Sequence, residues 1–170
     1  MKKLSSLIVF SLFLFSLTQT NAQMRFVLNG GAQLPLGDFK NSNDIGYGGS
    51  VDVEFKMPMI ATTFFASAGY DRWKITNTNY SKYVTPFMGG IKYFIYTPGN
   101  IISPYIGGAV GIATVNSNVP NSSSESKFIW SPTVGIRISN FDINARYVSY
   151  FDNGITISWF GINVGAVLGR

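Results

Sequence analysis

Residues 129–139 read Ile-Trp-Ser-Pro-Thr-Val-Gly-Ile-Arg-Ile-Ser, and two sets of side chains alternate along this stretch. The apolar set comprises Trp130, Pro132, Val134, Ile136 and Ile138, whereas the other set begins with Ile129 and continues with Ser131, Thr133, Gly135, Arg137 and Ser139. Successive side chains leave a β-strand on opposite faces, so a period of two predicts a strand with one apolar face and one mostly polar face.

The next stretch, Phe141 to Tyr147, repeats the pattern. One face carries Phe141, Ile143, Ala145 and Tyr147, and the other carries Asp142, Asn144 and Arg146. Charge is therefore confined to one side of the predicted strand. This division is typical of a sheet whose apolar side meets lipid.

The N-terminal segment has the features of an export signal. Lys2 and Lys3 precede an apolar run over residues 4–17, and Thr20-Asn21-Ala22 provides small residues where signal peptidase requires them. The apolar run is shorter than the roughly 20 residues of a membrane-spanning helix, which disfavours the alternative of a retained anchor. We predict a cleaved signal peptide over residues 1–22 and a single domain over residues 23–170.

The composition argues against several classes of protein. Aromatic residues make up 15% and charged residues only 12% of the chain, and the charged share is about half the usual one. Removal of Lys2 and Lys3 would reduce the net charge from +5 to +3, with 11 basic against 8 acidic side chains. This balance does not indicate a nucleic-acid-binding protein. The absence of cysteine excludes disulfides and a lipidated N-terminal cysteine.

The whole sequence predicts eight strands separated by alternating short and long connectors. The predicted strands are Met24–Leu34, Gly46–Met57, Ile60–Trp73, Tyr83–Tyr96, Ser103–Val115, Lys127–Ser139, Phe141–Phe151 and Ile155–Leu168. Their lengths suit the 9 to 11 residues or so that cross a bilayer as a tilted strand. The longer connectors, at 37–45, 74–82 and 116–126, are rich in polar residues. We therefore predict an all-β fold, an eight-stranded antiparallel up-and-down transmembrane β-barrel with these loops outside the cell.

Aromatic residues lie near both ends of the predicted strands, as expected for rings at two membrane interfaces. The predicted loop-end girdle comprises Tyr47, Tyr70, Trp73, Trp130, Tyr147, Tyr150, Trp159 and Phe160, and the predicted turn-end girdle comprises Phe26, Phe55, Tyr93, Tyr96, Tyr105 and Phe141.

The export signal, the eight strands and the stretch Gly30-Gly31-Ala32-Gln33-Leu34-Pro35-Leu36-Gly37-Asp38-Phe39 together resemble the small outer-membrane β-barrel family typified by OmpA and OmpX, especially its Bacteroidota members. The resemblance implies localisation in the outer membrane of a Gram-negative bacterium. It also implies contact with outer-membrane lipid and with the barrel-assembly machinery. Family members commonly end on an aromatic residue, whereas this chain ends Leu168-Gly169-Arg170.

The polar faces predict what fills the barrel. The inward-facing charged residues are predicted to be Arg25, Asp52, Glu54, Lys56, Lys92, Arg137, Asp142 and Arg146. An eight-stranded barrel has an interior just wide enough for side chains, and buried charges must be paired. We predict a salt-bridge network that plugs the lumen. One alternative is a narrow anion-preferring channel lined by Lys92, Arg137 and Arg146, and another is a soluble periplasmic calyx that binds a lipophilic ligand.

The sequence does not favour an enzyme. It contains no His and no Cys, the residues that most often serve as base or nucleophile. Asp52 and Glu54 could form a paired-carboxylate site, but Lys56 follows on the same face and favours a neutralised structural cluster. We predict a non-enzymatic protein without a cofactor or a metal site, which has a structural or surface-interaction role through its extracellular loops.

The second long loop carries the strongest predicted contact with lipid. Arg72, Trp73, Lys74 and Lys82 combine positive charge with an aromatic ring, which suits anionic head groups, including those of lipopolysaccharide. Ordinary anchoring at the membrane interface is the alternative interpretation. The sequence does not indicate an oligomeric state.

The export signal and the apolar faces generate a prediction about localisation. Cell fractionation should recover the mature chain in the outer membrane, resistant to carbonate extraction, and it should migrate differently on gels before and after heating. Recovery in the soluble periplasm would contradict the assignment of the apolar face to lipid.

Overall fold

The structure, a computed structural model, describes residues 23–56, 61–95, 101–120, 122–152 and 154–169. These residues form eight antiparallel strands in a closed barrel, in which each strand pairs with its neighbours in sequence and the first pairs with the last. The strands are β1 Gln23–Leu36, β2 Gly46–Lys56, β3 Thr62–Lys74, β4 Ser81–Phe94, β5 Ile102–Ser117, β6 Glu125–Ile138, β7 Phe141–Asp152 and β8 Ile155–Leu168, and the helix α1 spans Asp38–Ser42. Within this described part of the chain, no helix is long and apolar enough to cross a membrane.

The predicted fold class is confirmed. Each predicted strand has a counterpart in the barrel, and the ends agree to within two residues. The agreement follows from the period-two alternation, which identifies strands without reference to long-range contacts. The predicted signal peptide over residues 1–22 and the predicted strand ends at Met57, Ile60 and Tyr96 lie outside the described residues.

The first long connector differs from the prediction of a simple polar loop. Its centre folds into α1, which turns Phe39 into the barrel mouth, where the side chain is buried. Gly37 precedes the helix with a φ of 55°, a left-handed conformation that glycine adopts readily. The amide of Asn43 donates a hydrogen bond to the Phe39 carbonyl oxygen at 3.0 Å and closes the turn. The apolar ring thus leaves solvent, although its neighbours in sequence are polar.

The two faces of the barrel wall differ as the alternation predicts. The exterior carries a belt of exposed apolar side chains, which includes Leu28, Phe64, Phe87, Ile91, Ile106, Val110, Val134, Ile143, Ile162 and Val164. Acidic, basic and amide side chains lie in the lumen, where they are buried. A soluble calyx requires the opposite arrangement, with the apolar face inside. The direction of the side chains contradicts the calyx alternative.

The exposed belt gives a test of depth in the membrane. Ile162 lies near the middle of β8, and Thr156 lies on the same outward face near the loop end of the strand. Ile162→Arg should destabilise the barrel by about 2 to 4 kcal/mol, whereas Thr156→Arg should cost about 0 to 1 kcal/mol, because the penalty for Arg falls towards the interface. Folding titrations in lipid vesicles measure both values. Equal costs for the two variants would contradict the membrane-spanning orientation.

Candidate functional site: lumen and outer rim

Glu54 is the centre of a buried ion-pair layer in the turn-end half of the lumen. Its carboxylate accepts hydrogen bonds from both terminal nitrogens of Arg137, at 2.7 and 2.9 Å, and from the Lys92 ammonium at 2.7 Å. Glu54 is only 1% exposed. The bidentate geometry is the strongest form of arginine–carboxylate contact, so this pair connects β2 to β6 across the lumen.

Asp142 on β7 completes the environment of the guanidinium. Arg137 donates to Asp142 Oδ2 from Nη2 at 2.6 Å and from Nε at 3.1 Å. The other carboxylate oxygen, Oδ1, accepts hydrogen bonds from the Tyr105 hydroxyl at 2.7 Å and the Asn144 amide at 2.9 Å. Buried charges of both signs are therefore paired, as a low-dielectric interior requires.

Asp52 continues the layer towards β1 and β3. It accepts hydrogen bonds from the Ser67 hydroxyl at 2.7 Å, the Asn29 amide at 3.2 Å and the Lys92 ammonium at 3.4 Å. A ladder of amide side chains then crosses the barrel, in which Asn144 donates to Asn29, Asn163 donates to Asn144, and Gln33 donates to Asn163. The lumen side chains thus form one connected polar network.

Aromatic rings and glycines shape this layer. The Lys92 ammonium lies 4.8 Å from the centre of the Phe65 ring, and the Arg137 guanidinium lies 5.0 Å from that of Phe94. Gly135 leaves room for Tyr105, because a Cβ at position 135 would approach the tyrosine ring carbon Cζ to 2.4 Å. Absence of a side chain at one position therefore allows Tyr105 to reach Asp142.

The structure brings together five of the eight predicted lumen residues: Asp52, Glu54, Lys92, Arg137 and Asp142. Arg25 and Lys56 line a cavity of about 220 Å³ at the turn-end mouth, next to Arg137. Arg146 lines a small cavity of about 10 Å³ above the layer, a volume that admits about one water molecule.

Sequence reasoning missed Tyr105 and Ser67 as partners of the carboxylates. Tyr105 was predicted in the turn-end girdle, but it is 2% exposed and points into the lumen. Its strand parity is the available signal, because Tyr105 shares one face of β5 with the small residues Ala109 and Ala113, which point inward.

Aromatic rings pack together in the loop-end half of the lumen. The centres of the Trp73 and Trp159 rings lie 5.0 Å apart at an interplanar angle of 70°, and Phe39 lies 5.2 Å from Trp73. Tyr150 extends the cluster on the other side of Trp159, at 6.2 Å. Val84, Ile129 and Val148 surround these rings. This cluster, Phe39 with Trp73, Tyr150 and Trp159, is called the aromatic plug below.

The prediction that Trp73 contacts lipid is wrong. Both Trp73 and Trp159 are 0% exposed, and the Trp73 indole N–H donates to the Gln33 carbonyl oxygen at 3.1 Å. Gly46 provides space for the indole, since a Cβ there would lie 2.5 Å from Trp73 Cδ1. The same correction applies to Tyr150 and Trp159 in the predicted loop-end girdle, because both side chains are 0% exposed and pack in the lumen.

Lys82 also faces inward, which contradicts its predicted contact with head groups. Its ammonium lies 5.2 Å from the centre of the Phe39 ring and 5.9 Å from that of Tyr150. The strand parity of β4 determines this direction, because Lys82, Val84 and Met88 share one face. Lys82 lines a cavity of about 190 Å³ at the barrel mouth. In that cavity Lys127 pairs with Glu125 at 2.5 Å and with Asp152 at 2.8 Å.

Arg72 and Lys74 lie on the outside of the rim, as the head-group prediction requires. Arg72 donates to the Tyr47 hydroxyl at 3.1 Å and to Ser81 Oγ at 3.2 Å. Its guanidinium lies 5.4 Å from the centre of the Tyr83 ring. Two of the four residues predicted to contact head groups therefore have the predicted direction.

A closed barrel of eight antiparallel strands with an apolar exterior and a filled lumen is the fold of the small outer-membrane β-barrels. No family model matches the chain, and no curated protein sequence matches it.

Solved structures show the relationship in fold. Neisserial surface protein A has a TM-score of 0.71 at 11% identity, over 86% of this chain and 97% of that chain. The outer-membrane enzyme PagL has a TM-score of 0.59 at 16% identity, over 84% and 98%. Ail, the attachment invasion locus protein of Yersinia pestis, has a TM-score of 0.56 at 12% identity, over 86% and 99%. The likeness to an OmpA/OmpX-type barrel is confirmed at the level of the fold. The Bacteroidota type stays a prediction.

The fold and the apolar belt together confirm the predicted outer-membrane localisation. The side chains on the exterior match a hydrocarbon environment, and an outer-membrane protein such as Ail shares the architecture. The fold does not decide between enzyme and non-enzyme, because PagL has the same architecture.

The ion-pair layer generates a prediction about stability. Glu54→Ala should destabilise the barrel by about 3 to 5 kcal/mol, because it leaves the buried Arg137 and Lys92 without a shared partner. Glu125→Ala is the matched control. The Glu125 side chain is 48% exposed, and loss of its pair with Lys127 should cost less than about 1 kcal/mol. Urea titrations in detergent or vesicles measure both, and equal effects would show that water screens the Glu54 pairs.

Proposed function

We propose that the protein is a non-enzymatic integral barrel of the outer membrane, with a closed lumen and a structural or surface-interaction role through its extracellular face. The observation that carries the proposal is the double filling of the lumen. The ion-pair layer occupies the turn-end half, and the aromatic plug occupies the loop-end half. An ion crossing the barrel would have to displace paired charges and packed rings in turn.

The lack of histidine supports the non-enzymatic role. Serine nucleophiles of acyl-transfer enzymes usually depend on a histidine base, and the chain contains no His. The paired-carboxylate interpretation of Asp52 and Glu54 is disfavoured by their contacts. Lys92 donates to both side chains, Arg137 also binds Glu54, and each carboxylate is 1% exposed. Neither group is placed to transfer a proton to a substrate.

The extracellular face then provides the surface available for interaction. Loop residues at 76–80, 118–120 and 122–124 lie at the loop end of the barrel, together with α1 and the charged cavity around Lys127. Function in rigid scaffolds is concentrated on such loops. A structural or adhesive role therefore uses the loops, while the lumen contributes stability.

Planar-bilayer recordings test the closed lumen. The unmodified protein should show no steady conductance, because both layers exclude water. If the anion-channel alternative is correct, the recordings will show steady anion-preferring steps, and Glu54→Ala will increase them by adding net positive charge. Such steps together with an undiminished stability of Glu54→Ala would contradict the proposal.

The non-enzymatic role has its own measurement. Incubation of the folded barrel with lipid A, followed by mass spectrometry of the lipid, should show no loss of an acyl chain. Time-dependent release of an acyl chain by the folded barrel, absent after heat unfolding, would show that the barrel cleaves lipid A. That result would contradict the non-enzymatic role.

A further inference from the structure

We propose that the outer rim over β1–β4 is a binding site for a phosphate-bearing lipid of the outer leaflet, with the phosphate held between Arg72 and Lys74. The proposal rests on the membrane-inserted barrel described above and adds a ligand class and a position. Of the four residues that the sequence predicts to contact head groups, Trp73 and Lys82 do not belong to this site, because their side chains point into the barrel.

The strand register places these cations in two adjacent rows. Tyr47, Arg72 and Tyr83 occupy one row across β2, β3 and β4, because Arg72 pairs with both tyrosines. Lys74 lies two residues further along the outward face of β3, beside Ser81. Side chains two apart on a strand are separated by about 7 Å, a spacing that lets one phosphate contact both positive groups.

Unused hydrogen-bonding capacity makes Arg72 suited to this role. A guanidinium has five N–H donors. Among the described residues, the Tyr47 hydroxyl accepts a hydrogen bond from Nη1 of Arg72, and Ser81 Oγ accepts one from Nη2. Within the described residues, no carboxylate lies within 4.0 Å of the charged nitrogens of Arg72 or Lys74. The two charges are thus available to an external anion.

The neighbouring tyrosines set the depth of the site. Tyr70 lies one row below Arg72, and its ring centre is 5.9 Å from that of Tyr83. Tyr47 and Tyr70 are exposed on the barrel exterior. Aromatic rings of this kind mark the level of the head groups, so the cations lie at the height of the lipid phosphates.

The apolar belt below the cations supplies a surface for acyl chains. Phe64 and Phe87 are exposed on the outward faces of β3 and β4, on the membrane side of Arg72 and Tyr83. The groove of about 770 Å³ on the loop side of the cations is lined by Asp44 as well as by Leu34, Leu36 and Ile45, so it suits an acyl chain less well. An amphiphile can therefore extend its chains along the belt towards the membrane centre while its phosphate contacts the cations.

The opposite side of the rim differs in charge. The outward residues near the loop ends of β6, β7 and β8 include Ser126, Phe128, Phe151 and Thr156. The nearest cation there, Lys127, is engaged by Glu125 and Asp152. This asymmetry predicts a local site rather than a general attraction of the barrel to anionic membranes.

Native mass spectrometry of the folded barrel tests the proposal, with bis-phosphorylated lipid A as the probe and phosphatidylcholine as the uncharged comparison. Heat-modifiable migration first verifies that each variant is folded and inserted, so failure of the barrel assignment is distinguished from failure of the site. The wild type should retain one lipid A molecule in preference to phosphatidylcholine. Arg72→Gln combined with Lys74→Gln should reduce the retained fraction about tenfold, because two charge-assisted contacts are lost.

Two further arms separate the site from its alternatives. In the double variant, Ser126→Lys and Thr156→Arg restore the net charge on the opposite side of the rim, and retention should stay low. Two results would overturn the proposal. One is lipid A retention that recovers when Ser126→Lys and Thr156→Arg are added, and the other is lipid A retention that the double variant leaves unchanged. Excess inorganic phosphate should leave lipid A bound to the wild type, since the apolar belt holds the acyl chains. Complete displacement by phosphate at equal concentration would assign the site to a free anion instead.

Discussion

The bidentate contact between Arg137 and Glu54 is the interaction on which the interior depends. Arg137 also binds Asp142, and Glu54 also binds Lys92, so four strands are connected through two side chains. Removal of either partner would leave a charge in a space that admits little water. Tyr105, Asn144 and Ser67 then complete the hydrogen bonding of the acidic groups. The polar lumen is a single unit rather than a set of independent pairs.

The division of the lumen into a polar half and an aromatic half follows from how each half can be closed. Near the tight turns, the strands themselves supply enough charged and amide side chains to pair across the barrel. At the loop end, α1 adds Phe39 from outside the wall, and this ring packs on Trp73 and Trp159. Rings bury more apolar surface than ion pairs do and require fewer hydrogen-bond partners. The aromatic plug therefore closes the mouth with packed rings, and the ion pairs of Lys127 with Glu125 and Asp152 lie in the mouth cavity.

Alternation of side chains made the fold predictable, and the same property limited the prediction of the site. Period two places Glu54, Lys92 and Arg137 on the inner face without knowledge of the barrel, and charge then implies pairing. Aromatic residues carry no such signal, because a ring is compatible with lipid on one face and with a filled lumen on the other. The nearness of Trp73 and Tyr105 to strand ends predicts a place in the aromatic girdles. Their strand parity indicates the inner face, and both side chains are buried there. The burial of Phe39 could not be predicted, because the polar residues around it in sequence give no sign that the connector folds back into the mouth.

A filled lumen moves the chemistry of this barrel to its outer surface. Of the basic side chains near the loop end, Lys82 and Lys127 face the mouth, where rings and carboxylates surround them. Arg72 and Lys74 face outward, and parity on β3 separates them from Trp73, which lies between them in sequence. One strand thus provides both a buried ring for closure of the mouth and an exposed cation pair at the lipid head groups. Because the barrel wall is one residue thick, the residues that close the lumen also fix the position and depth of the cations outside it.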